Sequence, residues 1–308
     1  MNSVPKVSVC MITYGHEKYI REAIEGVLMQ ECKFEVELIV ANDCSPDSTD
    51  AVVKDIIKNH PRGNWIRYFN QEENLGIGDN FKFALQECTG EYISICEGDD
   101  FWINPKKLQI QVDFLDQNQD YIIHSGNAIF KSSNPKTNEK TVFNLTKNSV
   151  FKLEDFLVNN NLITCTSTFR NLKISFPENF KQVTFKDWYL YVLLLQASSK
   201  EAYRINEVYS TYRIHEGGVM KSLSDKRYFE EHIFQIKTIK AQIKYRQLPF
   251  VAKAVADSYF LSLYKIKLKE KLYREALEIA VANLKFTGRD FSLLKHFKIT
   301  AKNLIIKD

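Results

Sequence analysis

The sequence predicts an α/β protein: a mostly parallel sheet with flanking helices, plus a C-terminal helical appendage. Three observations predict it. Short β-branched apolar runs alternate with amphipathic segments through the first hundred residues, the pattern of a parallel sheet covered on both faces. Of the four turns that follow those runs, three end in groups suited to nucleotide, phosphate or metal contact, and the crevice outside the carboxyl ends of the strands is where such sheets bind ligands. Beyond about Tyr228, Gly and Pro become scarce and apolar positions recur at spacings of three and four.

Taken in order, Val7–Thr13 is a strand-type run, and Ile20, Ala23, Ile24, Val27 and Leu28 then fall at helical spacing. Val36–Ala41 is a second β-branched run. Ser48 stands where it can cap the helix holding Val52, Val53, Ile56 and Ile57. Trp65–Phe69 predicts a third strand, Phe81, Ala84, Leu85 and Cys88 a helical stripe, and Tyr92–Cys96 a fourth strand. A helix from Lys106 carries Leu108, Val112 and Leu115, and Ser132–Thr141 reads as a polar loop. A strand-rich middle runs through Ile163–Arg170 and Tyr203–Ile214. The chain thus divides into a catalytic domain over residues 1–224 and a basic helical region over 225–308, the latter holding two to four helices.

Composition narrows the classes. The longest apolar stretch, Tyr189–Ala197, is nine residues, against about 20 for a membrane-crossing helix. The N-terminus lacks the apolar core and small-residue cleavage site of a signal peptide. A cytoplasmic protein with reduced thiols is expected, since the six cysteines show no CxxC pair or zinc spacing. The net charge of +4 is unevenly placed: from Asp225 onward 18 Lys/Arg face nine Asp/Glu, about +9, leaving about −5 on the first 224 residues. No interleaved aromatic platform accompanies the basic tail, so nucleic acid is not the expected partner. The plain reading of residues 225–308 is a helical appendage that packs its apolar stripe on the catalytic domain and leaves its lysines in water; the alternative is contact with an anionic membrane surface, which would put the protein peripherally on the inner membrane face.

The strongest chemical signal is Glu97-Gly98-Asp99-Asp100, where a strand delivers three carboxylates within four residues to the sheet edge. Their repulsion calls for a cation, and Mg²⁺ or Mn²⁺ is the natural partner of carboxylate and phosphate oxygens. A solvated acidic turn before a helix at Pro105 is the plain alternative, made less apt by the apolar strand ahead of it.

Thr13-Tyr14, Asn42-Asp43-Cys44-Ser45-Pro46-Asp47-Ser48-Thr49, Asn74-Leu75-Gly76 and Glu97-Gly98-Asp99-Asp100, in this order, resemble the motifs of glycosyltransferase family 2. The resemblance is close over residues 5–115 and looser to about 220. It implies a GT-A (Rossmann-like) fold, a nucleotide-diphospho-sugar donor such as a UDP-sugar, a divalent metal at an Asp-x-Asp motif, and transfer to an acceptor hydroxyl with inversion. Surface polysaccharide or glycolipid synthesis, with a glycan or lipid-linked acceptor, is the expected setting. By this resemblance Thr13, Tyr14, Asn42, Asp43, Asn74 and Glu97 contact the nucleotide, with Asp43 accepting from the base. Asp99 holds the metal, joined by His215 and by Asp100, which as a plain alternative caps the following helix. The family's usual Asp-Asp-Gly-Ser is here Asn42-Asp43-Cys44-Ser45, and Glu97 replaces an Asp.

Phe185-Lys186-Asp187-Trp188 resembles the family's acidic-aromatic motif, which makes Asp187 the catalytic base; as a plain alternative, Asp187 caps the apolar helix Tyr189–Leu195. Tyr212-Arg213-Ile214-His215 followed by Gly217-Gly218 resembles a donor loop, in which Arg213 and His215 meet diphosphate or metal and the glycines hinge. The other five histidines read as structural. Thr164–Thr168, Trp102, Arg170 and Trp188 are expected on the acceptor side. Competing classes are a non-catalytic nucleotide-sugar-binding protein, which the presence of both Asp99 and Asp187 speaks against, and a nucleotidyltransferase, which would carry a Gly-rich basic loop where Thr13–Lys18 stands.

Overall fold

The computed structural model describes residues 5–132, 140–141, 147–243 and 250–288. The order of elements begins β1 (Val7–Thr13), α1 (Ile20–Leu28), β2 (Val36–Asn42), α2 (Thr49–Asn59), β3 (Ile66–Asn70), α3 (Ile77–Glu87) and β4 (Tyr92–Ile95). A short β5 (Phe101–Trp102) leads into α4 (Lys107–Gln117), β6 (Tyr121–Ser132), β7 (Lys140–Thr141), β8 (Ser149–Phe151), β9 (Thr168–Arg170), α5 (Lys186–Ser198) and β10 (Glu201–Ile214). Helices α6 (Val219–Ser222), α7 (Asp225–Ile243), α8 (Phe250–Lys269) and α9 (Tyr273–Thr287) follow. Most of the expected polar loop Ser132–Thr141 lies outside the described residues.

The strands form one sheet in the order β3-β2-β1-β4-β9-β6-β10-β5, with β7 on β6 and β8 on β10. β3, β2, β1 and β4 are mutually parallel. β9 runs antiparallel to both β4 and β6, and β6 is parallel to β10. Two reversals cancel, so β10 points the same way as β1 and β4, and its end at Ile214 reaches their carboxyl edge. Every residue of β2 is buried, as expected of a parallel strand covered on both faces. Helix α1 buries Ile20, Ala23, Ile24, Val27 and Leu28, the stripe its spacing foretold; each large aliphatic among them contributes about 1.5–3 kcal/mol by leaving water. Gly26 is what lets this helix close on the sheet, since a Cβ there would sit 2.9 Å from the Trp102 backbone.

Two expectations change. The run Ile163–Arg170 is mostly not strand: Thr164–Thr166 is a 3-10 turn and only Thr168–Arg170 pairs. The hydroxyls of Thr166 and Ser167 both donate to the Ile163 carbonyl, at 2.9 and 3.0 Å, and such local bonds compete with the ladder. Ser48 does occupy the position before α2, but its side chain makes no cap bond; its N–H instead donates to Glu17 at 3.0 Å.

Beneath the carboxyl edge lies a buried lysine with no acidic partner. Lys107 is fully buried and its Nζ donates to Ser94 Oγ and Gln111 Oε1, each at 2.7 Å, while lying 3.9 Å from the Trp102 ring centre. Burial lowers its pKa to about 7. The unfolded chain holds this proton up to about pH 10.5 and the folded protein releases it near 7, so stability rises with pH across that window. Lys107→Met is therefore expected to flatten the rise: the wild-type denaturant midpoint minus that of the variant should increase from pH 7 to pH 10. A constant difference would show that the amine is charged in the fold.

The chain divides into two compact units: Met1–Lys152, Asn161–Gln182 and Leu193–His215 form the first, which contains the sheet, and Leu153–Asn160, Val183–Val192 and Glu216–Asp308 form the second. In the second, Phe260 and Leu263 of α8 pack with Ile233 of α7 and with Ile279 and Phe286 of α9. Several of its basic residues are occupied internally. Lys267 pairs with Glu275 at 2.5 Å and Glu230 at 3.5 Å, Lys226 with Glu270 at 3.0 Å, and Lys240 lies 4.4 Å from the Phe286 ring centre. That spends part of the charge that a membrane surface would need. Among the described residues no helix is long and apolar enough to cross a membrane.

Candidate metal and nucleotide site

The carboxyl edge of the sheet gathers three loops of the first unit. The turn after β1 is tied to the segment after β2 by its own hydrogen bonds. Gly15 N–H donates to Ser45 Oγ at 2.9 Å, His16 N–H to Thr49 Oγ1 at 3.0 Å and Glu17 N–H to Asp47 Oδ2 at 3.0 Å. Gly98, between Glu97 and Asp99, is a place only glycine fills: a Cβ would come within 2.8 Å of the Thr13 side chain and 3.1 Å of His16 Nδ1.

Asp99 and His215 meet as expected, with His215 Nε2 3.0 Å from Asp99 Oδ2. A third residue joins them: His16 Nε2 lies 4.0 Å from the same oxygen, and one donor atom from each of the three falls within 4.8 Å of the others. The side chain of Asp99 is 23% exposed, enough to reach a ligand. Burial pushes its pKa up, but the His215 hydrogen bond and the two imidazoles prevail and hold it below the usual carboxylate range. Burial, only partly opposed by Asp99, lowers the His16 pKa and favours the neutral ring. Two imidazoles and a carboxylate are a donor set that fits a divalent transition ion. His16 Nδ1 is buried without a hydrogen-bond partner. Sequence reasoning had left His16 among the structural histidines; the signal was its place in the turn after a parallel strand, the rule that found Asp99.

Asp100 does not join the cluster. It is buried, its Oδ1 accepts from the Arg213 N–H at 2.8 Å, and burial and the Asp99 charge push its carboxyl well above the usual range. Arg213, expected to face diphosphate, is spent on the protein. Its guanidinium donates to the Asp99 carbonyl at 2.6 Å and pairs with Glu22, and it lies 4.4 Å from the Phe101 ring centre. It positions Asp99 rather than reaching past it.

In the nucleotide corner, Asp43 is buried and its Oδ1 accepts from the Leu75 N–H at 2.7 Å. Asn74 donates to the Asp43 carbonyl at 3.2 Å. Asn42 turns inward: its amide donates to Tyr68 Oη and Asn70 Oδ1 at 3.0 and 2.8 Å, and its oxygen accepts from Ser45. It shapes the turn. Cys44, standing for the usual glycine, adopts φ of 56°, the left-handed backbone that glycine takes freely. Tyr14 is 49% exposed, Thr13 is buried and Glu97 is half-buried at the end of β4.

The residues expected on the acceptor side are elsewhere. Trp102 is buried with Nε1 donating to the Cys165 carbonyl at 2.7 Å. Arg170 pairs with Tyr92, the first residue of β4, and so stands at the amino edge of that strand, donating to Tyr121 O and Tyr92 Oη. Thr166, Ser167 and Thr168 are fully buried. Trp188, in the second unit, is buried and donates to Phe156 O at 2.6 Å. Large indoles and guanidinium groups serve cores as readily as sugars, and only register separates the two uses.

Asp187 belongs to the second unit and lies inside the first turn of α5 rather than before it. Asn160 Nδ2 donates to its Oδ2 at 2.8 Å. Gly217 and Gly218 also belong to the second unit.

Residues 8–176 match the model of Glycosyl transferase family 2. An uncharacterized protein of Mycobacterium tuberculosis is 32% identical over 228 residues, 73% of this chain and 64% of that protein, so the chain spans a little under two thirds of that relative. The structure resembles S. aureus TarS solved in complex with UDP-GlcNAc, with a TM-score of 0.66 and 18% identity over 92% of this chain and 81% of that one. It also resembles the mannosyltransferase PcManGT from Pyrobaculum calidifontis, solved in complex with GDP-Man and Mn²⁺, with a TM-score of 0.60 and 16% identity over 99% of this chain and 88% of that one. The GT-A fold expected from the motifs is the fold found.

Proposed function

Because this chain belongs to glycosyl transferase family 2, we propose that it transfers a sugar, with inversion, from a nucleotide-diphospho-sugar to an acceptor hydroxyl. The observation that carries this is the meeting of Asp99, His215 and His16 at the carboxyl edge that also holds Asp43. A uridine donor suits Asp43, whose carboxylate takes the imide N–H of uracil. Glu97 and the Asn74 loop flank the nucleotide, and Thr13 and Tyr14 border it. When bound at Asp99, His215 and His16, a divalent cation supplies positive charge against the leaving diphosphate. Arg213 keeps Asp99 in place from behind through its carbonyl.

Asp187 serves as the base. It takes the acceptor hydroxyl proton as that oxygen bonds to the anomeric carbon, while the bond from that carbon to the phosphate oxygen breaks and the nucleoside diphosphate leaves with the electron pair. Such a base contributes typically 10²–10⁴-fold. The acceptor proposed is a glycan or lipid-linked sugar.

A panel of nucleotide sugars with Mn²⁺ tests the reading. At least one UDP-sugar should raise the melting temperature and release UDP slowly in the absence of acceptor, more than any GDP-sugar does. A protein that binds none of them, with either cation, is not this enzyme.

A further inference from the structure

We propose that His16 is a third protein ligand to the cation, completing with Asp99 and His215 a two-histidine, one-carboxylate site that loads a transition-metal ion before any donor arrives and prefers Mn²⁺, Co²⁺ or Zn²⁺ to Mg²⁺. The inference rests on the cation role proposed above, but concerns binding to the donor-free protein and not transfer.

Three features carry it. The first is spacing: the separations from Asp99 Oδ2 are 3.0 Å to His215 Nε2 and 4.0 Å to His16 Nε2. Donors about 2.1 Å from a shared ion stand about 3–4 Å apart. The widest spacing in the set, within 4.8 Å, closes to that range by a side-chain movement of about 1 Å. The second is fixation. The His16 N–H is bonded to Thr49, and its carbonyl accepts from the N–H groups of Tyr19 and Ile20 at 2.9 and 2.8 Å, at the start of α1. Its ring lies 6.0 Å from that of His215 and 6.2 Å from that of Tyr19, and Tyr19 itself packs 4.8 Å from His215. A Cβ at residue 98 would stand 3.1 Å from His16 Nδ1 and crowd the ring. The third is chemistry. A lone carboxylate holds a hard ion weakly and leaves substrate phosphates to complete its coordination, whereas two added imidazoles shift preference along the first-row series and away from Mg²⁺. Three protein donors on a six-coordinate ion still leave positions for oxygen ligands from a substrate.

The full chain, freed of metal and without donor, is titrated with Mn²⁺ by loss of the free-ion electron paramagnetic resonance signal, and with Mg²⁺ and Zn²⁺ by calorimetry. His16→Ala and the size-conserving His16→Gln are compared with wild type after circular dichroism shows that each is folded. Wild type should bind Mn²⁺ without donor, with at least roughly tenfold preference over Mg²⁺, and both variants should lose roughly tenfold or more in Mn²⁺ affinity. Variants that bind Mn²⁺ as wild type does overturn the third-ligand role, as does equal affinity for Mg²⁺. If the ion binds only once UDP-sugar is present, pre-loading is wrong while the transferase reading stands; if it binds in neither state, both fail.

Discussion

Asp99→Asn is expected to lower nucleotide-sugar turnover by at least about 10²–10³-fold, with the melting temperature changed by no more than a few degrees. The substitution keeps the size of the side chain, and the amide can still hydrogen-bond with His215 Nε2, so the loop after β4 has no reason to collapse. What disappears is the single carboxylate among the three gathered donors. Donor hydrolysis followed by UDP release, with and without EDTA, reads the effect directly. Wild-type activity persisting in excess EDTA, or an Asp99→Asn enzyme working at more than about a tenth of the normal rate, would remove the cation from the mechanism.

Asp187→Asn is expected to reduce turnover by at least about 10²-fold while the donor KM stays within about twofold, because a base acts on the acceptor proton and not on donor binding. Stability is a separate matter. Asp187 lies in the first turn of α5 and accepts from Asn160; Asn accepts the same bond through its carbonyl, and losing one negative charge near a helix start costs about 0.3–1 kcal/mol. A variant that unfolds, or one with normal turnover and weakened donor binding, would assign Asp187 to the helix alone.

Much of the first unit was legible because its signals are local. The apolar runs that became β1, β2, β3 and β4 were found within a residue or two, and the five-residue stripe of α1 matches residue for residue. β6 was missed: His124, Ser125, Gly126 and Asn127 interrupt its apolar character, and they are buried because Gln111, Thr166 and Ser167 satisfy polar groups there from other elements. The meeting of Asp99 with His215 was expected from motif order, yet what brings it about is the double strand reversal through β9, which no periodicity encodes. Arg170 shows the converse. Its chemistry suited a sugar, and only the pairing of β9 with β4 reveals that it belongs at the other edge.

The second unit is assembled from three separated stretches of chain, and this bears on how the protein is made. In α5, Trp188 through Val192 are all buried, so the helix has no solvent-compatible face of its own along that stretch. Phe185, just ahead of it, bonds through both its N–H and its carbonyl to Gln235, 50 positions later. At about 5–20 residues per second of synthesis, the ribosome leaves this segment without that partner for roughly 2.5–10 s. The nascent chain thus carries, midway through translation, an apolar helix awaiting residues not yet made. That interval, rather than the finished protein, is where chaperone capture and aggregation compete for it.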